Sequence, residues 1–181
     1  MIKLPPYDPD APVIVIDVGN TNTKIATWHA NDLKTVLSVP TGDVAAFEEA
    51  YTAHRQATGR QHHAATVIGS VVPEALERIR THVSQLEGRE PLVVGETLPF
   101  PIDLEVKDRK TVGVDRVCQA AAAFDRVQTD CTIVSFGTAV TIDLVSVDGI
   151  FLGGAILPGV ALQMRALHEF TAALPLVEPA I

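Results

Sequence analysis

A chain of 181 residues with 47% hydrophobic and 20% charged residues can bury the core of one domain or of two small lobes, which excludes a disordered chain. Its formal net charge of -8 repels phosphate backbones and so disfavours a nucleic-acid partner. No apolar stretch approaches the ~20 residues of a membrane-spanning helix, and the first residues lack a secretory pattern, so we expect a cytoplasmic protein without a membrane partner.

Apolar runs in the first half of the chain predict the order βββ-α-β-α-β. The run from Val13 to Val18 is broken only by Asp17 and ends at Gly19-Asn20, which indicates a buried strand that enters a tight turn. Asp43 is expected to cap the first helix, and Pro73 to begin the second. The predicted strands are 13–18, 23–28, 33–39, 65–72 and 91–94, and the first helix runs to about residue 57.

The second half predicts a helix, three strands and a last helix. Residues 98–112 carry prolines and alternating charges without a strong period, so we expect a linker or a substrate-facing loop there. The predicted helix is 113–127, the strands are 131–136, 139–147 and 150–157, and the last helix ends near residue 173. These boundaries give a first lobe at 11–97, the linker at 98–112 and a second lobe at 113–181.

The first strand ends in a bend that suits phosphate. Gly19, Asn20 and Thr21 can aim backbone N–H groups and a hydroxyl at phosphate oxygens, because glycine lets the backbone approach closely. Asp17, just before the bend, could hold hydrated magnesium. A plain Asn-rich hairpin in which Asp17 satisfies the turn explains the same residues equally well.

A similar bend recurs in the second half, which suggests an internal duplication. Gly137 and Thr138 follow an apolar strand as Gly19 and Thr21 do, and Asp143 lies on the returning strand. A Thr-rich strand is by itself more often ordinary β-structure than a phosphate site. Two copies in one chain favour function, since two facing lobes could hold a polyphosphate between them.

Asp115 opens the Ala-rich helix of the second half. An acid in the first turn of a helix is favoured by the helix dipole, and the spacing alone favours this capping role. The functional alternative makes Asp115 a general base that takes a proton from an attacking hydroxyl, while Arg116 steers a carboxylate or a phosphate.

In this order the motifs resemble those of type III pantothenate kinases, a branch of the actin, sugar-kinase and heat-shock ATPase superfamily. Residues 17–21 resemble the first phosphate motif, 113–116 the substrate and base motif, and 137–143 the second phosphate motif. Gly153-Gly154 with Pro158-Gly159, and Thr171 with Leu174-Pro175, resemble the later signatures. The likeness covers most of the chain.

The resemblance implies an α/β fold of two ribonuclease-H-like lobes of the actin-like ATPase type. It implies an enzyme, a homodimeric kinase that transfers phosphate from ATP to pantothenate in the first step of coenzyme A biosynthesis. Magnesium and a monovalent cation, potassium or ammonium, are implied as cofactors. Phosphoryl transfer needs mainly positioning and charge stabilisation, which a scattered set of residues can supply.

The resemblance also implies a role for each site residue. Asp115 would be the base, Asp17 would hold magnesium, and Asp143 would bind the monovalent cation. The phosphate-binding residues would be Gly19, Asn20, Thr21, Gly137 and Thr138, with Lys24 as our own addition, and the pantothenate site would include Gly113, Arg116 and Thr171.

Two departures from the family pattern keep other functions open. Val106 and Arg109 stand where the family usually has a Tyr and a Pro, which favours a related kinase with a different acceptor. The second lobe is also shorter than the first, so we expect it to be incomplete. This shortness favours a non-catalytic or regulatory homologue, or a fragment of such a kinase.

Overall fold

A computed structural model describes residues 11–58 and 64–177 of the chain. The last four residues of the predicted second lobe therefore lie outside the described part. The chain divides into two compact units, one made of Met1–Phe100 with Gly113–Asp115 and the other of Pro101–Val112 with Arg116–Ile181. Each described unit contains one sheet flanked by helices, which confirms the predicted α/β class.

The described residues of the first unit form a five-stranded mixed sheet in the order β3-β2-β1-β4-β5. Antiparallel pairing joins β3, β2 and β1, and parallel pairing joins β1, β4 and β5. A two-residue turn, Ala30-Asn31, connects β2 to β3 with positive φ at both positions, as a tight hairpin requires. The strands are β1 (Val13–Val18), β2 (Asn22–His29), β3 (Asp32–Pro40), β4 (Ala65–Ser70) and β5 (Leu92–Val93).

Two described helices, α1 (Val44–Thr58) and α2 (Pro73–Glu87), bury the apolar face of this sheet. Asp43 caps α1, because its Oδ1 accepts a hydrogen bond of 3.0 Å from the Ala46 N–H, as the sequence predicts. The proline at position 73 starts α2, where a missing N–H costs nothing. Both helices contribute to one core whose buried members include Ile14, Ile68, Tyr51 and Val83.

The described residues of the second unit form a four-stranded sheet in the order β6-β9-β8-β7. Its strands are β6 (Asp103–Leu104), β7 (Cys131–Phe136), β8 (Ala139–Val145) and β9 (Ile150–Pro158). The helices that follow β6 and β9 are α3 (Val114–Val127) and α4 (Val160–Glu169). Val117 and Ala120 of α3 are fully buried, and so is Phe151 of β9, whereas α4 has no buried residue.

Residues 98–112 are more ordered than the sequence predicts. Asp103 and Leu104 pair in parallel with Ile150 and Phe151 of β9, and a short 3-10 helix follows at Arg109–Thr111. Leu104 is buried, so this segment contributes an edge strand and an apolar side chain to the second unit.

One face of the second sheet is apolar and exposed. Val134 pairs with Ile142 and Val140 pairs with Leu157 across neighbouring strands, so these side chains lie on the same face. Val134, Ile142 and Leu157 are each more than a third exposed, and Phe136 at the end of β7 is 77% exposed. Among the described residues, no helix has the length and apolarity that spanning a membrane requires.

Candidate active site

The predicted phosphate bend of the first unit is a tight connection between β1 and β2. The Gly19 N–H donates to the Asn22 carbonyl oxygen at 3.1 Å and closes the turn. A β-carbon at Gly19 would lie 3.0 Å from that same oxygen, a crowded contact that glycine avoids. Asn20 and Thr21 are exposed at the tip of the bend, where a ligand can reach them.

Asp17 lies directly before this bend and opposite Lys24. The two residues are a cross-strand pair between β1 and β2, and Asp17 also pairs with Gly69 of β4. Asp17 is exposed to solvent, yet neighbouring protein atoms displace part of the hydration of its carboxyl group. This burial raises the pKa of the Asp17 carboxyl, the Lys24 ammonium lowers it, and the negative charge of Asp115 raises it again.

Asp115 belongs to the same compact unit as Asp17 and is the second residue of α3. The start of this helix packs beside β4, because a β-carbon at Gly69 would touch the Val114 side chain at 3.5 Å. Since Gly69 pairs with Asp17, this packing brings the two acidic residues to the same region of the unit. The Asp115 carboxylate folds back toward Gly113, where a β-carbon would lie 2.5 Å from its Oδ1.

These two carboxylates fit the chemistry that the magnesium prediction requires. Among the described residues, no group of three or more His, Cys, Asp or Glu side chains could hold a metal. Magnesium bound to a nucleotide, however, needs only one or two protein carboxylates, because phosphate oxygens and water supply the other ligands. Asp17 is partly desolvated and repelled by Asp115, and a cation beside it would relieve both effects.

The second predicted phosphate bend is packed against the start of α4. The Gly137 N–H donates to the Ala139 carbonyl oxygen at 3.0 Å, and the Gly159 N–H donates to the Thr138 carbonyl oxygen at 3.0 Å. A β-carbon at Gly159 would lie 2.5 Å from that Thr138 oxygen and nearer still to the Gly137 oxygen. Gly159 of the Pro158-Gly159 signature therefore packs directly against the backbone of the bend, a contact that the sequence alone did not indicate.

Arg116 and Asp143 are brought together as an ion pair in the second unit. The Arg116 Nε donates to Asp143 Oδ1 at 3.0 Å and to Oδ2 at 3.2 Å, and Nη2 also donates to Oδ1. Asp143 is 1% exposed, and the guanidinium lies 5.7 Å from the ring centroid of Phe151. A β-carbon at Gly154 would lie 2.8 Å from Asp143 Oδ1, so glycine at this position leaves room for the carboxylate.

This ion pair bears on two of the predicted roles. Asp143 as a ligand for a monovalent cation requires that the cation share a buried carboxylate that the Arg116 guanidinium already neutralises. Arg116 as a pantothenate ligand requires that its guanidinium serve the substrate and Asp143 together. Both roles remain predictions.

Thr171 lies just beyond α4 and is exposed. Its hydroxyl donates to the Leu167 carbonyl oxygen at 2.7 Å and accepts a bond of 3.4 Å from the Leu174 N–H. These contacts are those of a helix exit, which the sequence offers as an alternative to substrate binding. Its role toward pantothenate remains a prediction.

Sequence reasoning missed one residue that contacts the first phosphate bend. Thr41 donates from its hydroxyl to the Gly19 carbonyl oxygen at 2.7 Å and from its N–H to the Thr21 carbonyl oxygen at 3.0 Å. Its signal in the sequence is faint, since Pro40-Thr41-Gly42-Asp43 indicates only a turn that precedes a capped helix.

Comparison with known proteins identifies relatives of most of this chain. The family model described as type III pantothenate kinase matches residues 13–180. A type III pantothenate kinase of Ruegeria pomeroyi is 35% identical over 173 residues, which cover 92% of this chain and 66% of the relative. One of Anaeromyxobacter dehalogenans strain 2CP-C is 34% identical over 171 residues, covering 92% and 67%. The chain thus spans about two thirds of the length of these relatives.

Solved structures with a similar fold have little sequence identity to this chain. A Ppx/GppA phosphatase of Aquifex aeolicus superposes with a TM-score of 0.52 at 13% identity, covering 93% of this chain and 58% of the phosphatase. MreB5 of Spiroplasma citri superposes with a TM-score of 0.50 at 10% identity, covering 90% and 57%. These likenesses confirm the predicted actin-like ATPase fold class. The match of the family model over residues 13–180, with relatives 34% to 35% identical to this chain, establishes that the chain belongs to the type III pantothenate kinase family.

Proposed function

We propose that this protein transfers the γ-phosphoryl group of ATP to the hydroxyl of pantothenate, the first step of coenzyme A biosynthesis. The observation that carries the proposal is the position of Asp115 near Asp17 within a chain whose relatives are named type III pantothenate kinases. A base beside a magnesium-binding carboxylate is the arrangement that phosphoryl transfer to an alcohol needs.

In the proposed reaction Asp115 acts on the acceptor. Its carboxylate takes the hydroxyl proton as the hydroxyl oxygen bonds to the γ-phosphorus. The bond from the γ-phosphorus to the oxygen that bridges to the β-phosphate breaks, and ADP leaves with the electron pair. The Asp115 side chain bends toward Gly113, the residue before α3. Because Gly113 has no side chain, the Asp115 carboxylate can lie beside it.

The two bends and Asp17 are proposed to bind the nucleotide. Gly19, Asn20 and Thr21 would donate to phosphate oxygens, and the resemblance implies Gly137 and Thr138 as further phosphate-binding residues. Lys24, which pairs across the strands with Asp17, supplies a positive charge near the same position. Magnesium held by Asp17 would neutralise charge on the phosphates when it is bound.

A coupled assay for ADP release tests the proposal. The 181-residue chain is incubated with ATP, magnesium and potassium, with and without pantothenate, after its folding has been verified by circular dichroism. ADP release that depends on pantothenate is the expected result. A folded chain that binds ATP without any turnover would contradict the proposal and support the non-catalytic homologue.

Val106 favours a second acceptor class. It lies against Gly153 of β9, where a β-carbon would meet its Cγ1 at 3.5 Å, and it stands where the family usually has a Tyr. If pantothenate gives no turnover, a panel of small acceptor alcohols in the same assay distinguishes a related kinase from an inactive protein. The homodimer, the monovalent cation and the cytoplasmic location remain predictions from the resemblance.

A further inference from the structure

Thr41 lies outside every motif that the family resemblance includes, yet it makes two hydrogen bonds to the first phosphate bend. Its hydroxyl donates to the Gly19 carbonyl oxygen at 2.7 Å, and its N–H donates to the Thr21 carbonyl oxygen at 3.0 Å. One residue thus holds carbonyl groups at both sides of Asn20. It reaches them from a separate part of the chain, beyond the end of β3.

The Thr41 hydroxyl is itself oriented by a buried neighbour. Thr23 is 1% exposed, and its Oγ1 lies 3.0 Å from the Thr41 Oγ1. A hydroxyl has a single proton, and that of Thr41 is directed to Gly19, so Thr23 must be the donor between the two hydroxyls. The result is a directed chain of hydrogen bonds from Thr23 through Thr41 to the Gly19 carbonyl.

Local structure places Thr41 accurately. Pro40 ends β3, and the Asp43 N–H donates to the Pro40 carbonyl oxygen at 3.0 Å, which closes a turn around Thr41 and Gly42. Asp43 then caps α1. The turn is therefore fixed at one end by the sheet and at the other by a helix, and Thr41 has little freedom to move.

The orientation of the Gly19 carbonyl determines where the next N–H points. In a planar trans peptide the C=O and the N–H point in opposite directions. Since the Gly19 oxygen is directed into the protein at Thr41, the Asn20 N–H of the same peptide group is directed away from it, at the exposed tip of the bend. A backbone N–H held in this way is a ready donor for a phosphate oxygen.

We propose that Thr41 is a positioning residue for nucleotide binding: its hydroxyl fixes the Gly19–Asn20 peptide so that the Asn20 N–H faces the phosphates of ATP. The inference rests on the proposed nucleotide site but not on the identity of the acceptor. Thr41 touches neither substrate, and it acts through the bend alone.

The test compares Thr41→Val, Thr41→Ser and a matched control. Valine keeps the shape of the side chain and removes the hydroxyl, whereas serine keeps the hydroxyl. Thr81→Val is the control, because Thr81 is exposed on α2 and its hydroxyl donates to the Glu77 carbonyl of its own helix at 2.9 Å. Affinity for a non-hydrolysable ATP analogue with magnesium is measured by calorimetry on the full chain.

We expect Thr41→Val to bind the analogue about tenfold more weakly, which is the effect of losing one hydrogen bond between the Asn20 N–H and a phosphate oxygen. Thr41→Ser and Thr81→Val should bind the analogue within about twofold of the parent, a change much smaller than the about tenfold loss expected for Thr41→Val. In turnover assays the KM for ATP should rise for Thr41→Val while the KM for pantothenate stays unchanged. In an amide NMR spectrum, the shift of the Asn20 signal on analogue addition should be smaller in Thr41→Val than in the parent.

Unchanged analogue affinity in a folded Thr41→Val variant would overturn the inference, and so would a folded Thr41→Ser variant as weak as Thr41→Val. The readout separates this inference from the proposed reaction. A parent chain that binds the analogue but does not phosphorylate pantothenate contradicts the reaction, and the three variants still decide the role of Thr41. A parent chain that binds no analogue overturns both.

Discussion

Asp17 is the residue for which we expect a proposed functional role to oppose stability. Its pKa is raised mainly by burial and further by the Asp115 charge, so the folded protein holds the proton more tightly than the unfolded chain does. Above that raised pKa, ionised Asp17 costs folding free energy, and the cost disappears as the pH falls toward the ordinary carboxyl value. An ionisable residue whose pKa is shifted by burial in this way is a candidate for ligand binding.

Replacing Asp17 with asparagine should therefore stabilise the protein and weaken its nucleotide site. We expect Asp17→Asn to have a higher Tm than the parent at neutral pH, with the difference shrinking as the pH falls through the raised pKa of Asp17. Magnesium-dependent affinity for ATP should fall. Thermal scans across pH and calorimetry with and without magnesium check both parts.

Asp125→Asn, on the exposed side of α3, makes the same change of charge and serves as the control. A Tm for Asp17→Asn at or below that of the parent at neutral pH would show that Lys24 outweighs the burial of Asp17. Unchanged magnesium-dependent affinity would remove Asp17 from the nucleotide site.

Asp115 should behave differently, because its proposed role is proton transfer and not nucleotide binding. We expect Asp115→Asn to lower kcat by roughly 100-fold or more, the contribution typical of a general base, while ATP affinity stays within about twofold. The amide can still occupy the second position of α3 and interact with the helix N-terminus. Steady-state kinetics and calorimetry on the same preparation check the two values, and near-parental kcat would leave Asp115 only a role at the helix start.

At the scale of elements, the sequence predicts those strand and helix boundaries that local periodicity and turn residues determine. The strands β1 and β7 have the predicted bounds, and α2 begins at the predicted proline. The two-residue strand β6 was not predicted, because Asp103-Leu104 is too short for any period to be visible. Its pairing with β9 depends on a partner more than forty residues away in the chain.

The candidate site was predictable in its residue types but not in their pairing. Bends, acids and glycines can be recognised along the chain, and Asp17, Asp115 and Gly19 were predicted in this way. The ion pair of Arg116 with Asp143 joins residues 27 positions apart, and no local pattern indicates it. The same holds for Thr41, whose contact with Gly19 exists only because β3 returns beside β2.

Glycines at element boundaries give a prediction that separates function from stability. A methyl group at position 113 would meet the movable Oδ1 of Asp115 at 2.5 Å, whereas a methyl group at position 159 would meet backbone carbonyls. We expect Gly113→Ala to lower kcat by displacing Asp115, with little change in Tm. Gly159→Ala should lower Tm clearly, because backbone must move to admit the methyl group.

Gly42→Ala is the control, since a methyl group there meets no atom within 4 Å. Kinetics and thermal unfolding of the three variants give the comparison. A normal kcat in Gly113→Ala would show that the Asp115 side chain can move aside without loss of function. An unchanged Tm in Gly159→Ala would show that the backbone of the second bend shifts at little cost in free energy.

At the scale of the whole molecule, the two units differ in how much apolar surface they bury. The first unit has a core shared by β1, β4, α1 and α2, with Ile14 and Ile68 fully inaccessible. In the second unit one sheet face remains exposed, and α4 contributes no buried residue. Since burial of apolar area is the main stabilising term, the second unit should open more easily than the first.

Native-state hydrogen exchange measures this difference directly. Backbone amides of β1, which is paired on both sides by β2 and β4, should exchange only on global unfolding of their unit, whereas amides of α4 should exchange much faster through local opening. The measurement is repeated at two protein concentrations, because association through the exposed face with Val134 and Ile142 would protect α4 more at the higher one. Protection of α4 equal to that of β1 at both concentrations would contradict the expected order, since slow exchange independent of concentration requires that the chain itself stabilise the helix.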